Sequence, residues 1–334
     1  MLKYLPGLIV AALLATPLAA SEVNIYSYRQ PELIKPLTDA FTAQTGIDVN
    51  VAYLDKGMIE RLLAEGDRSP ADVILTVDIS RLARAVEVGV TQSVTSNIMQ
   101  ANIPADFRDP DGHWWGLTTR ARIIYASKDR VSDGEITTYE DLTNPKWAGR
   151  ICSRSGTHAY SNGLTSAVIA HLGQDGARNW LTGLKANLAR RPQGNDRAQI
   201  KAIWAGECDI SLGNNYYFGK MLANPEQVEW ADAVRLVFPT FVNGGTHVNV
   251  SGVAMTKAAP HPVQALQFME FLTSPTAQEI YAEANYEYPI APGTKPSELV
   301  SGWGEFTPDT INLMEMAKFR ADALRLAQEV DFDG

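Results

Sequence analysis

The fold is decided by three short runs, Val23-Asn-Ile-Tyr26, Val49-Asn-Val-Ala-Tyr53 and Asp72-Val-Ile-Leu-Thr-Val77, all rich in β-branched residues. Helical patterns at residues 31–46 and 58–66 separate these runs, with Gly and Pro at the boundaries. Because β-α-β-α-β order requires crossover connections, it predicts a parallel, doubly wound α/β sheet.

A second α/β unit follows, opened by a long predicted strand at residues 116–127. Since the chain has 334 residues, more than one compact core usually holds, we expect two lobes. The N-lobe is predicted at 21–119 plus about 247–295, and the C-lobe at 120–246 plus about 296–334. Two strands crossing near residues 118–124 would form a hinge, giving a clamp with its ligand at the carboxyl ends of the strands. Further strands are predicted at 150–153, 208–212 and 246–255, and further helices after Tyr160 and at 198–205, 262–273, 275–284 and 309–330.

The first 20 residues have the pattern of a secretory signal peptide. Lys3 precedes the apolar run at 8–15, and Pro17-Leu-Ala-Ala20 precedes Ser21. The run is too short to span a bilayer, and Ser21 stands where a lipid anchor would require Cys. The sequence therefore predicts export, to the periplasm in a Gram-negative cell.

Charge and cysteine content narrow the function further. Without Lys3, the formal net charge of the chain changes from -9 to -10, which disfavours nucleic acid and anionic membranes as partners. Cys152 and Cys208 are the only two cysteines. In an oxidising compartment such a pair predicts a disulfide, with two buried free thiols as the alternative.

Two adjacent tyrosines lie in Ser211-Leu-Gly-Asn-Asn-Tyr-Tyr-Phe-Gly-Lys220. If Tyr216 and Tyr217 face one cleft, they offer two hard oxygen donors, which suit a hard, highly charged metal ion. The alternative is that one ring is in the core and the other lies on the surface. Tyr160 follows another predicted strand end, so it is expected in the same cleft.

Ionisation of a tyrosine hydroxyl is energetically unfavourable at neutral pH. Ionising one at pH 7 requires about 4 kcal/mol, because its pKa is near 10. Only a strong Lewis acid would offset three such costs, and three phenolates would neutralise Fe3+. An additional small anion would need cations to hold it, and Arg29, Gln30 and Arg120 are candidates.

Six segments together resemble the periplasmic ferric-iron-binding proteins of ABC importers, which are type II periplasmic binding proteins. The resemblance extends over essentially the whole chain after the leader, and it implies an ABC permease as partner, Fe3+ as cargo and a monomeric protein. The segments are Tyr26-Ser-Tyr-Arg29, Ala71-Asp-Val-Ile-Leu-Thr-Val-Asp78, Thr119-Arg-Ala-Arg122, Cys208-Asp-Ile-Ser-Leu-Gly-Asn-Asn-Tyr-Tyr217, His247-Val-Asn-Val-Ser-Gly252 and Asn285-Tyr-Glu-Tyr-Pro289.

The resemblance also implies a ligand set. The family's metal tyrosines correspond to Tyr160, Tyr216 and Tyr217. Many members have a His ligand after the Arg of the first loop, but this chain reads Arg29-Gln30-Pro31 there. It is thus similar to the branch in which a synergistic anion, commonly carbonate, completes the coordination. Arg29, Gln30 and Arg120 would bind the anion, with Arg122 as the alternative to Arg120.

Two other classes of function share part of this pattern. A binding protein for another small solute, an anion or a polyamine, would use the same architecture, although a polyamine would favour carboxylates in the cleft. An exported enzyme is the other class, but the chain has no G-x-S-x-G, P-loop, G-x-G-x-x-G or zinc-hydrolase spacing. Asp78 is expected to cap a helix, and His158 to be a solvated loop residue rather than a neighbour of the ligands.

Overall fold

The computed structural model describes residues 21–334, and the predicted signal peptide at 1–20 lies outside the described residues. The strands are β1 (Glu22–Ser27), β2 (Asp48–Tyr53), β3 (Val73–Thr76), β4 (Trp115–Ser127), β5 (Ile151–Cys152), β6 (Ile210–Asn214), β7 (Val234–Val237), β8 (Val248–Met255) and β9 (Tyr288–Pro289). The helices are α1 (Pro31–Thr45), α2 (Met58–Glu65), α3 (Ile79–Glu87), α4 (Asn97–Asn102), α5 (Ala159–Ala186), α6 (Asp196–Trp204), α7 (Asn215–Leu222), α8 (Val228–Asp232), α9 (Pro262–Thr273), α10 (Pro275–Asn285), α11 (Glu298–Ser301), α12 (Leu313–Ala317) and α13 (Arg320–Glu329). No helix in this part of the chain is long and apolar enough to cross a membrane.

The strands follow the order β2-β1-β3-β8-β4-β6-β5, and β7 and β9 both pair with β4. β1 is parallel to β2 and β3, which confirms the β-α-β-α-β prediction. β8 is antiparallel to both β3 and β4, so the sheet is mixed rather than wholly parallel. The reason is that β8 brings the chain back from the second unit and runs opposite to the first strands.

The long strand β4 connects the two halves of the molecule. Residues 115–121 pair with β8, whereas residues 122–127 pair with β6 and β7. All thirteen residues of β4 are buried. The two-lobed α/β clamp is thus the fold of this chain, and the crossing predicted near residues 118–124 lies within β4. The exact lobe boundaries stay a prediction.

A close contact between β4 and β6 requires a glycine in the second unit. Gly213 in β6 is required because the ring of Tyr125 in β4 lies where a Cβ would be, only 2.0 Å away.

The helix predicted at 309–330 is wrong as a single element, because it is divided into α12 and α13. Asn312 caps α12 by accepting hydrogen bonds from the Met314 and Glu315 backbone N–H groups.

The predicted disulfide is confirmed. Cys152 in β5 and Cys208, just before β6, are bonded with their Cα atoms 5.8 Å apart. Both side chains are buried. Because β5 and β6 are parallel neighbours, the bridge ties together two strands whose carboxyl ends lead towards the tyrosines.

Removing this bridge is expected to destabilise the protein. The variant Cys152→Ala with Cys208→Ala should lose about 4 kcal/mol of unfolding free energy, because the closed loop of 56 residues restricts the unfolded chain. Urea unfolding under oxidising conditions measures this loss. A reductant should shift the wild-type transition but leave that of the double variant unchanged. An unchanged free energy of unfolding in the variant would contradict the prediction.

Candidate functional site

The three predicted metal tyrosines follow the carboxyl ends of neighbouring strands. Tyr216 and Tyr217 lie in the first turn of α7, which starts directly after β6. Tyr160 lies in the first turn of α5, eight residues after Cys152 at the end of β5. Since β5 and β6 are parallel, both turns lie at the same edge of the sheet.

The tyrosines meet in one cleft of about 310 Å3. The Oη atoms of Tyr160 and Tyr216 are 3.2 Å apart. The ring centroids of Tyr216 and Tyr217 are 4.3 Å apart with the planes inclined at 35°. The alternative, with one ring in the core and one on the surface, does not describe this geometry, because both rings line the cleft. Within residues 21–334 no group of three or more His, Cys, Asp and Glu side chains could hold a metal ion.

The adjacent phenols of Tyr216 and Tyr217 resist ionisation. Burial raises the pKa of Tyr216 well above its ordinary value, and repulsion from ionised Tyr160 and Tyr217 raises it further, against the lowering effect of Arg29 and Arg120. Burial and the charge of Tyr160 likewise raise the pKa of Tyr217. The hydroxyls of Tyr216 and Tyr217 are therefore neutral at pH 7 unless a cation enters, and binding such a cation would release their protons.

The cleft is also lined by cationic side chains that the sequence analysis did not select: Arg81, Arg197 and Lys220. The Nζ of Lys220 is 5.3 Å from the ring centroid of Tyr216. Burial, together with the charge of Arg29, lowers the pKa of Lys220 to about 8. Lys220 could have been found from its spacing, since a residue four positions after Tyr216 shares its helix face.

The three predicted anion-binding residues are located differently. Arg29 and Gln30 line the cleft with the tyrosines. Arg120 lies behind it in β4, 1 % exposed, with its Cζ 5.9 Å from the ring centroid of Tyr160. The Nη1 of Arg120 donates to Ser251, but its Nε and Nη2 have no hydrogen-bond partner within the described chain. Buried donors of this kind suit an anion.

Arg122, the alternative to Arg120, takes part in a buried ion network. Its Nη1 is 2.8 Å from Asp196, and Arg154 binds the other carboxylate oxygen of Asp196 at 2.8 Å. The guanidinium of Arg154 in turn lies over the ring of Tyr160, with its Cζ 5.2 Å from the ring centroid. Asp196 also accepts a hydrogen bond from the Asn214 backbone N–H just before the tyrosine pair. One carboxylate thus orders the surroundings of both tyrosine segments.

Two individual expectations have different outcomes. Asp78 caps α3, since its carboxylate accepts a hydrogen bond from the Ser80 backbone N–H at 2.8 Å. The expectation of a solvated His158 is wrong. Its half-buried imidazole accepts a hydrogen bond from the Tyr160 backbone N–H at 3.1 Å, and its ring centroid is 4.8 Å from that of Tyr160. The reason is that His158 caps α5, a role more common for Ser, Thr, Asp or Asn.

A two-lobed α/β clamp with convergent polar side chains in its cleft defines a solute-binding protein. The chain belongs to the bacterial extracellular solute-binding protein family, since a sequence profile of that family matches residues 68–301.

Individual relatives are named for iron. The chain is 43 % identical over 318 residues to iron uptake protein A1 of Synechocystis sp., covering 94 % of this chain and 88 % of the relative. The apo ferric ion-binding protein A of Pasteurella haemolytica superposes with a TM-score of 0.90 at 49 % identity, covering 94 % and 99 % of the two chains. A Trichodesmium protein solved with iron and citrate ligands superposes with a TM-score of 0.89 at 41 % identity, covering 93 % and 100 %.

The variant Asp196→Asn tests the buried network. It should lose about 3–5 kcal/mol of stability, because two buried guanidinium groups lose their counter-charge. Asp39→Asn, in an exposed pair with Lys35, is the control and should cost at most about 1 kcal/mol.

The pH dependence of stability provides a second measurement of the same network. Burial alone would raise the pKa of Asp196, but the charges of Arg122 and Arg154 outweigh it and hold this pKa below its ordinary value of 3.8. The stabilisation by Asp196 is therefore present above pH 3.8 and is lost as pH falls through the lower, folded-state value. Urea unfolding between pH 5 and pH 2 should give a shallower loss for Asp196→Asn. An equal slope would contradict the assignment.

Proposed function

We propose that this protein captures ferric iron in the periplasm and delivers it to an ABC permease. Tyr160, Tyr216 and Tyr217 supply phenolate ligands, and a synergistic anion, carbonate in the first instance, completes the coordination. The observation that carries the proposal is the 3.2 Å separation of the Tyr160 and Tyr216 Oη atoms, with Tyr217 beside them in the same cleft.

Charge balance supports Fe3+ over other ions. Calcium and magnesium sites are usually built from carboxylates and carbonyls, and zinc sites from His and Cys. Since the pKa of Tyr216 is raised well above its ordinary value, only a strong Lewis acid can displace the proton. Three phenolates neutralise a trivalent ion, and the iron-related names of the relatives agree with this cargo.

Arg29, Gln30 and Arg120 are the proposed anion-binding residues. Arg29 and Gln30 border the cleft, and Arg120 has two buried donors without a partner in the described chain. The Trichodesmium protein was solved with both iron and citrate ligands, so the binding of an oxyanion as well as iron has a counterpart in a relative. Release of iron would follow from opening of the clamp, from protonation of the phenolates or from reduction to Fe2+.

A polyamine cargo fits the cleft less well than a metal ion with its anion. A polyamine requires anionic partners, but the cleft is lined by four cationic side chains and only two carboxylates. The cations are Arg29, Arg81, Arg197 and Lys220, and the carboxylates are Glu32 and Asp55. Membership of a solute-binding family argues for binding without catalysis.

On iron binding, the predicted N-lobe of 21–119 plus about 247–295 would close on the rest of the chain around the ion.

Removing the tyrosine pair tests the iron site. Wild-type protein mixed with ferric citrate should develop a visible tyrosinate-to-iron charge-transfer band. Tyr216→Phe with Tyr217→Phe should lose the band and the bound iron, because two of three phenolates are gone. Tyr288→Phe is the matched control, since Tyr288 is outside the cleft and its hydroxyl has no hydrogen-bond partner in the described chain. A band that persists in the double variant would make the assignment wrong.

Bicarbonate and pH should both control iron affinity. Competition titrations against citrate should give tighter iron binding with added bicarbonate, and Arg29→Gln should weaken that dependence. Affinity should fall as pH is lowered from 8 to 5, because protons compete with iron for oxygens of raised pKa. Iron binding that responds to neither bicarbonate nor Arg29→Gln would count against the anion site.

A further inference from the structure

A buried carboxylate lies next to the predicted anion-binding arginines. Glu287 is fully buried, and its Oε1 is 2.6 Å from the Nη2 of Arg29. Its Oε2 accepts hydrogen bonds from the hydroxyls of Thr118 at 2.5 Å and Ser251 at 3.0 Å. Thr118 belongs to β4 and Ser251 to β8, so Glu287 is fastened to both strands of the crossing.

The hydroxyl of Ser251 links the two arginines to this carboxylate. It accepts hydrogen bonds from the Nη2 of Arg29 at 2.9 Å and from the Nη1 of Arg120 at 3.2 Å. It also donates to Glu287. Both guanidinium groups therefore have their orientation set around a single anionic side chain.

The orientation leaves specific donors for a ligand. The Nε of Arg29 donates to the Tyr281 hydroxyl at 3.0 Å, and its Nη2 is used by Ser251 and Glu287. Its Nη1 makes no hydrogen bond within residues 21–334, and Arg29 borders the cleft. Arg120 keeps Nε and Nη2 without partners in the same range. The cluster thus holds two arginines in place while each retains donors.

The carboxylate also reduces the positive charge that these donors present. Two arginines and one glutamate leave one net positive charge, where the arginines alone would present two. Burial alone would raise the pKa of Glu287, but the charges of Arg29 and Arg120 outweigh it and hold this pKa below its ordinary value. Glu287 is therefore charged at neutral pH and competes with any anion for Arg29.

We propose that Glu287 is a positioning residue that orients Arg29 and Arg120 and weakens their hold on the synergistic anion, so that bound iron stays releasable. This inference rests on the proposed function, because it concerns the anion of the same site. It differs from a purely structural role in the direction of its effect. A structural residue would weaken anion binding when replaced, whereas loss of the Glu287 charge should strengthen it.

The variant Glu287→Gln tests the inference, since it keeps the shape of the side chain but removes the charge. The bicarbonate concentration that half-saturates the iron charge-transfer band should fall at least about tenfold, as expected for a close charge pair. Transfer of iron to excess citrate should slow correspondingly. Glu65→Gln is the matched control, because Glu65 pairs with Arg61 and is not part of the cleft lining; it should change neither value.

The effect must depend on Arg29. In an Arg29→Gln background, Glu287→Gln should change the half-saturating bicarbonate concentration much less than it does in the wild type. If Glu287→Gln does not fold, Glu287→Asp keeps the charge but withdraws it from Arg29, and a smaller decrease is expected. An unchanged or increased bicarbonate requirement in the folded variant would overturn the inference.

Failure of the proposed function would look different. In one outcome, wild-type protein develops the iron charge-transfer band through its tyrosines, but the band does not depend on bicarbonate. That result would overturn the role of Glu287 and would still support the iron site. A band that survives Tyr216→Phe with Tyr217→Phe would instead reject the iron site itself.

Discussion

The constraint on which the molecule depends is the proximity of the three tyrosines in one cleft, where neither Tyr216 nor Tyr217 readily ionises. Burial and mutual repulsion raise the pKa of Tyr216 well above its ordinary value. Such a cluster holds little negative charge until a strongly charged cation displaces its protons. Selectivity for a hard trivalent ion and release on protonation would then be two consequences of one arrangement.

The crossing strands supply the opposing charge. β4 carries Arg120 and β8 carries Ser251, and Glu287 binds both strands through hydroxyl groups. Side chains at a hinge can respond to lobe movement, since they contact both halves of the clamp. The buried ion network around Asp196 orients another arginine beside the tyrosines. Asp196 binds Arg154, whose guanidinium lies over the ring of Tyr160.

Periodicity and spacing predicted much of the fold. The alternation of strands and helices from Val23 to Val77 and the pairing of Cys152 with Cys208 are local or compositional signals, and both are confirmed. Periodicity failed at helix ends, where local capping contacts decide the structure. The 309–330 region forms two helices instead of one. His158 caps α5 by accepting a hydrogen bond from the Tyr160 backbone N–H, instead of lying in solvent.

By itself, the sequence determined five of the residues that line the cleft, but not Arg81, Arg197 or Lys220. Tyr160, Tyr216, Tyr217, Arg29 and Gln30 follow predicted strand ends, and parallel neighbouring strands bring their ends to one edge. Only the tertiary structure decided how these groups are charged and oriented. Glu287 lies 258 residues from Arg29 along the chain, and no periodic pattern connects them. Their contact arises because β9, which directly follows Glu287, pairs with β4, while the Ser251 hydroxyl in β8 binds both side chains. Desolvation of that contact sets its electrostatic strength.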